Sequence, residues 1–205
     1  MNSVVNLEKK NSIYGLIQDL ETLIYCLIMV PLSLLNIFND KNYFTQNIYL
    51  LSYVYFIITG ITNIYYQEIN YIIHHIICLN LIVISQYDTN HKYLIWLSYC
   101  FLAEISNIFL SGKNILKHIA KIESLNKSLI LTQINKINDF LFLISYFGIR
   151  IFYLIPFTYK FITTNYFDLK YPIVIVSNVI IMCLLNLYWS YMIIIKIKKM
   201  MEKTK

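Results

Sequence analysis

The chain carries little charge and few residues that break helices. Only 14% of its 205 residues are charged and 58% are hydrophobic, with four glycines and three prolines. Soluble domains carry about 25% charged residues. A chain of this length cannot bury so much apolar surface in a soluble core, so the excess is expected to face lipid. Arg150 is the only arginine, which makes its position informative.

Several motifs of metal and covalent chemistry are also missing. The sequence has no CxxC pair, no Gly-rich phosphate loop and no GxSxG motif. The four cysteines lie in apolar runs, which favours small buried side chains over a disulfide or metal role. A di-iron oxidase needs several histidine boxes, whereas here His91 and His118 lie on polar stretches away from a single HH pair. We expect no metal and no resident cofactor.

Six stretches approach the roughly 20 apolar residues that a membrane-spanning helix needs. They are 22–38, 47–66, 71–88, 93–110, 138–157 and 171–195. They predict an all-α polytopic membrane protein with about six transmembrane helices in a single domain, 22–195. The first stretch is the weakest, being short and containing Pro31. Residues 67–70 are expected to form a tight turn, and 111–137 to be partly helical, with an interfacial helix.

The lysines predict the orientation of these spans. Six spans place both termini on one side, which would then hold twelve lysines against four. The twelve are Lys9, Lys10, Lys113, Lys117, Lys121, Lys127, Lys136, Lys196, Lys198, Lys199, Lys203 and Lys205. The positive-inside rule makes residues 1–21 a cytosolic segment and 196–205 a basic cytosolic tail. Attraction to anionic lipid explains the net charge of +6, so no nucleic-acid partner is needed.

Four ionisable side chains lie inside the predicted spans: His74, His75, Glu104 and Arg150. Each costs about 2.5–3.5 kcal/mol on insertion scales, so a functional role is a reasonable hypothesis. Glu104 lies six residues before the end of its span, roughly 9 Å deep, at a depth similar to that of the two histidines. Asn107 follows Glu104 on the same helical face. The alternatives are an interfacial role for the histidines and a structural hydrogen-bond stripe along Glu104.

The chemistry open to this group of residues is limited. A neutral imidazole can act as a general base, or as a nucleophile towards a thioester. Adjacent residues on a helix point about 100° apart. Only one histidine is therefore expected to face the reacting atoms, while the other orients it or hydrogen-bonds a neighbouring helix. Glu104 would hold the imidazole in one tautomer or stabilise its cation. For Arg150 the sequence leaves open a structural ion-pair role and a lipid headgroup contact.

The order of polar motifs resembles that of TLC-domain membrane proteins, which include the ceramide synthases and a set of smaller relatives. The matching pieces are the HH pair, LAEISNIFL at 102–110, NDFLFLISYFGIR at 138–150 and LNLYW at 185–189, within a core of 47–195. The resemblance implies a helical bundle around a central cavity open to lipid, in the endoplasmic reticulum or a related internal membrane. It also implies acyl transfer from acyl-CoA to a sphingoid or other lipid acceptor at His74 and His75.

The resemblance implies further site residues, and the chain departs from the family pattern at two points. Asn107, Arg150, Asn186 and Trp189 are the residues expected to bind lipid or substrate. The chain lacks the aspartate-rich stretch of the ceramide synthases, and Tyr53 stands where many members have an aspartate. It therefore resembles the smaller relatives more closely. A non-catalytic lipid-binding protein, or a receptor that regulates membrane lipids or trafficking, is the alternative to an enzyme. A structural membrane protein without any cavity is the third.

Overall fold

The computed structural model describes residues 13–39, 45–66, 68–87, 91–120 and 129–202. These residues form helices and no strand, which confirms the all-α fold class. The elements are α1 Ile13–Asn39, α2 Thr45–Tyr65, α3 Ile69–Tyr87, α4 His91–Phe101, α5 Glu104–Ala120, α6 Leu129–Ser145, a π-helical segment Tyr146–Leu154, α7 Ile155–Asn165, a 3₁₀ turn Tyr166–Asp168 and α8 Pro172–Glu202.

These elements make six spans, because α4 continues into α5 and α6 continues through the π-helical segment into α7. Four spans are long and apolar enough to cross a membrane: Gly15–Phe38, Lys92–Ala120, Leu129–Asp168 and Pro172–Lys199. The shorter apolar helices Tyr49–Tyr65 and Ile69–Ser85 coincide with the second and third predicted spans. The polytopic membrane bundle is therefore confirmed, although α2 and α3 are the short helices rather than the first span.

Two helices extend beyond their predicted spans. α1 begins at Ile13 instead of 22, and its polar first turns are compatible with a helix because their side chains bond other helices. Gln18 donates to Asn63 Oδ1 at 3.3 Å, and Asp19 accepts from Asn114 Nδ2 at 3.0 Å. α8 continues to Glu202, so most of the basic segment predicted from 196 is helical. Lysine is a good helix former, which allows this extension.

The long polar connection is shorter than predicted. α5 continues without interruption to Ala120, and α6 begins at Leu129. The prediction that 111–137 is partly helical is confirmed for the described residues, although residues 111–120 continue α5 and do not form a separate helix. The predicted turn after α2 is confirmed, since Glu68 donates its backbone N–H to the Asn63 carbonyl at 3.0 Å and α3 begins at Ile69.

Side-chain bonds fix which loops share an end of the bundle. At one end, α1 meets α2 and α5 through Gln18 and Asp19, and Lys113 of α5 pairs with Asp139 of α6. We call this the lysine-rich end. At the other end, Lys170 donates to the Tyr87 carbonyl at 3.2 Å, which brings the start of α8 to the end of α3. The six spans therefore alternate in direction, as predicted.

The direction of α8 follows from its contacts with α3. Its beginning lies at the far end of α3, whereas the Trp189 ring lies 5.7 Å from the ring of Tyr71 near the start of α3. The two helices are therefore antiparallel. The described chain thus starts at Ile13 and finishes at Glu202 at the same, lysine-rich end. Both ends of the described chain therefore lie on one side of the bundle.

The span formed by α4 and α5 is the most enclosed. Large hydrophobic side chains are exposed on every other span, such as Leu27, Leu50, Ile76, Phe140 and Leu184, whereas none of those described along α4 and α5 is. The exposed side chains form the surface expected to face lipid. Inside, Tyr93 and Trp96 are fully buried, and Trp96 stacks on Phe161 with ring centroids 5.1 Å apart. Glu104 therefore lies on the central span.

Candidate functional site

The central span is broken directly before Glu104. Leu102 and Ala103 donate their backbone N–H groups to carbonyls three residues back, at 3.1 Å each, instead of four. This tightening separates α4 from α5 and leaves Glu104 in the first turn of α5. A carboxylate at a helix N-terminus is stabilised by the backbone dipoles, typically by about 0.3–1 kcal/mol. The break thus supplies a favourable position for a buried acid.

The fifth span is irregular near the same site. Residues Tyr146–Leu154 form a π-helix that contains Arg150, and α7 begins with Pro156 in its first turn. Pro156 has no N–H, so the Phe152 carbonyl cannot receive its ordinary helical bond, and the helix adjusts by widening. Such π-segments occur frequently at functional sites. Here the wide turn carries the only arginine into the bundle interior.

Arg150 connects three spans by hydrogen bonds and is only 4% exposed. Its Nε donates to Ser106 Oγ at 2.7 Å. Its Nη2 donates to Asn107 Oδ1 at 3.0 Å and to the Ala103 carbonyl at the helix break at 3.2 Å. Its Nη1 donates to Asn186 Oδ1 of α8 at 3.4 Å. The planar guanidinium carries several donors and can reach all of these divergent acceptors. The compact ammonium group of a lysine could not.

Asn107 joins the two buried charges. Its Nδ2 donates to Glu104 Oε2 at 2.7 Å while its Oδ1 accepts from Arg150. The thiol of Cys26 in α1 also donates to Glu104 Oε2, at 3.3 Å. Within the described chain the hydrogen bonds of Glu104 thus go to Asn107 and Cys26. The polar stripe predicted along α5 is a hydrogen-bonded chain from Arg150 through Asn107 to Glu104, and Arg150 bonds protein groups on two other spans.

The two histidines occupy different environments. His75 faces α2, where Thr59 Oγ1 lies 3.3 Å and Asn63 Nδ2 lies 3.4 Å from its Nδ1. His74 faces α8 instead, with its Nδ1 3.3 Å from the Met182 sulfur. Its ring also meets the Trp189 ring edge-on, with centroids 5.6 Å apart. One imidazole is therefore held by polar side chains of a neighbouring helix, and the other by sulfur and aromatic groups.

A cavity of about 100 Å³ lies between α2, α3, α4, the π-helical segment, α7 and α8. The polar residues on its wall are His74, Glu104, Arg150, Thr158 and Asn186. The rest of the lining is mostly apolar and aromatic, and it also includes the thiols of Cys78, Cys100 and Cys183. The cavity brings residues of the third, fourth, fifth and sixth spans together, at the level where the fourth and fifth are irregular.

The predicted site residues thus divide into three groups. His74, Glu104, Arg150 and Asn186 share the cavity. Asn107 and Trp189 support it from outside the wall, through the hydrogen-bonded chain to Glu104 and the His74 ring respectively. His75 faces α2, away from that cavity.

Sequence reasoning missed several residues that contact the site, and four of them bond its predicted members. These four are Cys26, Cys78, Ser106 and Met182. Cys78 follows His74 by one helical turn, and that spacing could have identified it. The positions of Cys26 and Met182 depend on which spans pack together, and no local pattern carries that information. Among the described residues no group of three or more His, Cys, Asp and Glu side chains is arranged to hold a metal ion.

Six helical spans and a mostly apolar internal cavity that carries buried polar groups define an all-α polytopic membrane protein with a buried site. Comparison with sequence models of protein families matches residues 10–195 to the TLC domain. The chain therefore belongs to the TLC-domain family, which indicates a membrane protein of lipid metabolism or homeostasis. The match begins at residue 10, before α1 and well before the predicted core of 47–195. Neither the curated proteins nor the solved structures that were searched contain a match to this chain.

Proposed function

We propose that the cavity is the site of acyl transfer from an acyl thioester, such as acyl-CoA, to a lipid amine or hydroxyl, with His74 as the general base. The observation that carries the proposal is the shared cavity. His74 and Glu104 come from different spans, yet both lie on its wall beside Arg150. A base, an acid and a fixed positive charge around an apolar space are the groups that proton transfer during acyl exchange requires.

The surroundings of His74 suit a neutral imidazole. Its nearest polar atoms are the sulfurs of Met182 and Cys78, which form only weak hydrogen bonds. His74 can therefore accept a proton from the acceptor amine or hydroxyl as that group attacks the thioester carbonyl. When the carbon–sulfur bond breaks, the imidazolium returns the proton to the thiolate leaving group. Glu104 on the same wall stabilises the transient cation electrostatically, while Asn107 and Cys26 fix its carboxylate.

The cavity suits the reacting end of a lipid. Its volume of about 100 Å³ is smaller than the roughly 150 Å³ apolar cavity that holds one benzene molecule, and the cavity is partly open. The chain of a bound lipid would then extend from the cavity between the spans or along the apolar exterior. Here the hydrogen-bonded group of Arg150, Asn107 and Asn186 positions the reacting end of the lipid.

A non-catalytic lipid-binding or receptor role is the second candidate. It is favoured by the internal hydrogen bonds of Arg150, whose donors are directed to the protein groups of Ser106, Asn107, Ala103 and Asn186. It is also favoured by Tyr53, which stands at the position of the missing family aspartate. Tyr53 is 40% exposed on α2, so no carboxylate enters the site from that position.

A turnover assay separates the two candidates. The purified full chain in lipid nanodiscs would be incubated with acyl-CoA and a panel of sphingoid bases, lysolipids and alcohols. We expect release of free CoA thiol that depends on an acceptor, together with one acylated lipid product identified by mass spectrometry. Lipid that copurifies with the protein while acyl-CoA remains intact with every acceptor would instead establish the binding role.

We further propose that the lysine-rich end is cytosolic, in the endoplasmic reticulum or a related internal membrane. The support is the twelve-to-four distribution of lysines together with the common end of α1 and α8. Tags at both termini should be digested by protease added to cells whose plasma membrane alone is permeabilised. The sequon at Asn126, which lies outside the described residues, should stay unglycosylated. A sequon introduced after Lys41 is the positive control, and glycan on Asn126 would reverse the orientation.

A further inference from the structure

Cys78 lies beside His74 on the wall of the same cavity. The two residues are one helical turn apart on α3, so their side chains share a face. The Cys78 sulfur is 3.7 Å from His74 Nε2 and 3.9 Å from Nδ1. His74 is 9% exposed, and its other polar contact is the Met182 thioether. A thiol and an imidazole in contact supply the two groups from which a nucleophile and its base can be formed.

The other three cysteines have different surroundings. The Cys26 thiol donates to Glu104 and does not line the cavity. Cys100 and Cys183 line the cavity, but among the described residues the thiol within hydrogen-bonding distance of an imidazole is Cys78. Cys78 thus has both access to the cavity and a base beside it. Cys100 and Cys183 share only the access, which makes them matched controls.

We propose that Cys78 is the nucleophile that first receives the acyl group, which makes the reaction a two-step exchange through an S-acyl cysteine. This inference rests on the proposed acyl transfer and names an intermediate for it. In the first step His74 takes the thiol proton, and the Cys78 thiolate attacks the carbonyl of the acyl thioester. The bond from the carbonyl to the CoA sulfur breaks, and the CoA thiolate takes the proton back from the imidazolium.

The second step uses the same two groups. The lipid amine or hydroxyl attacks the S-acyl cysteine while His74 takes its proton. The carbon–sulfur bond to Cys78 then breaks, and the imidazolium returns the proton to the Cys78 thiolate. One thioester is exchanged for another and then for an amide or ester, so no oxidant or metal is consumed. The acyl group stays activated between the steps, because a thioester replaces a thioester.

A covalent intermediate separates the two substrates in time. A direct transfer needs the thioester and the acceptor in the cavity together. With an acyl group held on Cys78, the CoA moiety can leave before the lipid acceptor enters. Initial rates measured against both substrates should therefore give the parallel lines of a ping-pong mechanism.

The test is capture of the acyl group without an acceptor. The full chain in nanodiscs would receive acyl-CoA with an alkyne-tagged chain, and the labelled peptide would be identified by mass spectrometry. We expect a hydroxylamine-sensitive label on Cys78, about one per protein, that is chased into product when acceptor is added. The label should be lost in Cys78→Ala and Cys78→Ser and slowed at least about tenfold in His74→Ala. It should persist in Cys100→Ala and Cys183→Ala.

Failure of this inference and failure of acyl transfer give different results. If the Cys78 variants make product at the wild-type rate, or if the label distributes equally over Cys78, Cys100 and Cys183, the cysteine intermediate is wrong and direct transfer stands. If Cys78 is labelled but no acceptor removes the label, Cys78 acylation stands and lipid acyl transfer is wrong. Thermal unfolding of each variant, compared with wild type, confirms that a lost label reflects chemistry in a folded protein.

Discussion

Replacing His74 with alanine should lower the rate of acyl transfer by about 10²–10⁴-fold, the usual contribution of a general base. Replacing His75 with alanine should leave the rate per folded molecule within a few fold of wild type. The reason is orientation. His74 lies on the cavity wall, whereas His75 points to Thr59 and Asn63 of α2. The measurement is acceptor-dependent CoA release by each variant in nanodiscs, normalised to folded protein.

The stability of the protein should fall more in the His75→Ala variant than in the His74→Ala variant. Removal of the His75 ring leaves the buried side chains of Thr59 and Asn63 without their shared partner, which typically costs about 1–3 kcal/mol. The His74 ring has only sulfur and aromatic neighbours, so its loss removes packing without leaving strong hydrogen-bonding groups unpaired. His118→Ala on α5 is the control for replacing a histidine outside the cavity. Equal loss of rate in the His74 and His75 variants, at equal stability, would contradict this division of roles.

Replacing Arg150 with methionine should be among the most destabilising single changes in the described chain. The variant removes the donors to Ser106, Asn107, Asn186 and the Ala103 carbonyl, and it leaves Glu104 as a buried charge without the hydrogen-bonded chain to its partner charge. Breaking one side of a buried charge pair commonly costs about 3–5 kcal/mol. We therefore expect a lower unfolding temperature in nanodiscs and a smaller yield of monodisperse protein.

Two further variants test whether charge or geometry carries that effect. Arg150→Lys keeps the charge but loses the planar fork, so its stability should fall between those of wild type and Arg150→Met. Glu104→Gln removes the negative charge and keeps an acceptor for Asn107. When Glu104→Gln is combined with Arg150→Met, the loss in free energy of unfolding should be smaller than the sum of the losses in the two single variants, because no unpaired charge remains. Strict additivity would show that the two charges are not coupled through Asn107.

The helices and their polar residues were largely predictable from the sequence. A run of about 20 apolar residues is a local property, so hydropathy located all six spans. The depth of Glu104 and the histidines followed from the rise of a helix, and the cavity that Glu104 shares with His74 agrees with that estimate. The first span was underestimated because Gln18 and Asp19 are polar, and only their partners Asn63 and Asn114 explain the longer helix.

The sequence by itself determined the membrane class, the number of spans, their alternation and the identity of the buried charges, because each follows from composition or spacing along one helix. The tertiary structure decided which histidine faces the cavity, how Asn107 joins Glu104 to Arg150, and that Cys78 and Met182 lie against the same imidazole. These depend on the rotation of each helix about its axis and on the irregular turns at Ala103 and Arg150. Rotation is fixed by the packing of several spans at once, so no single stretch of sequence encodes it.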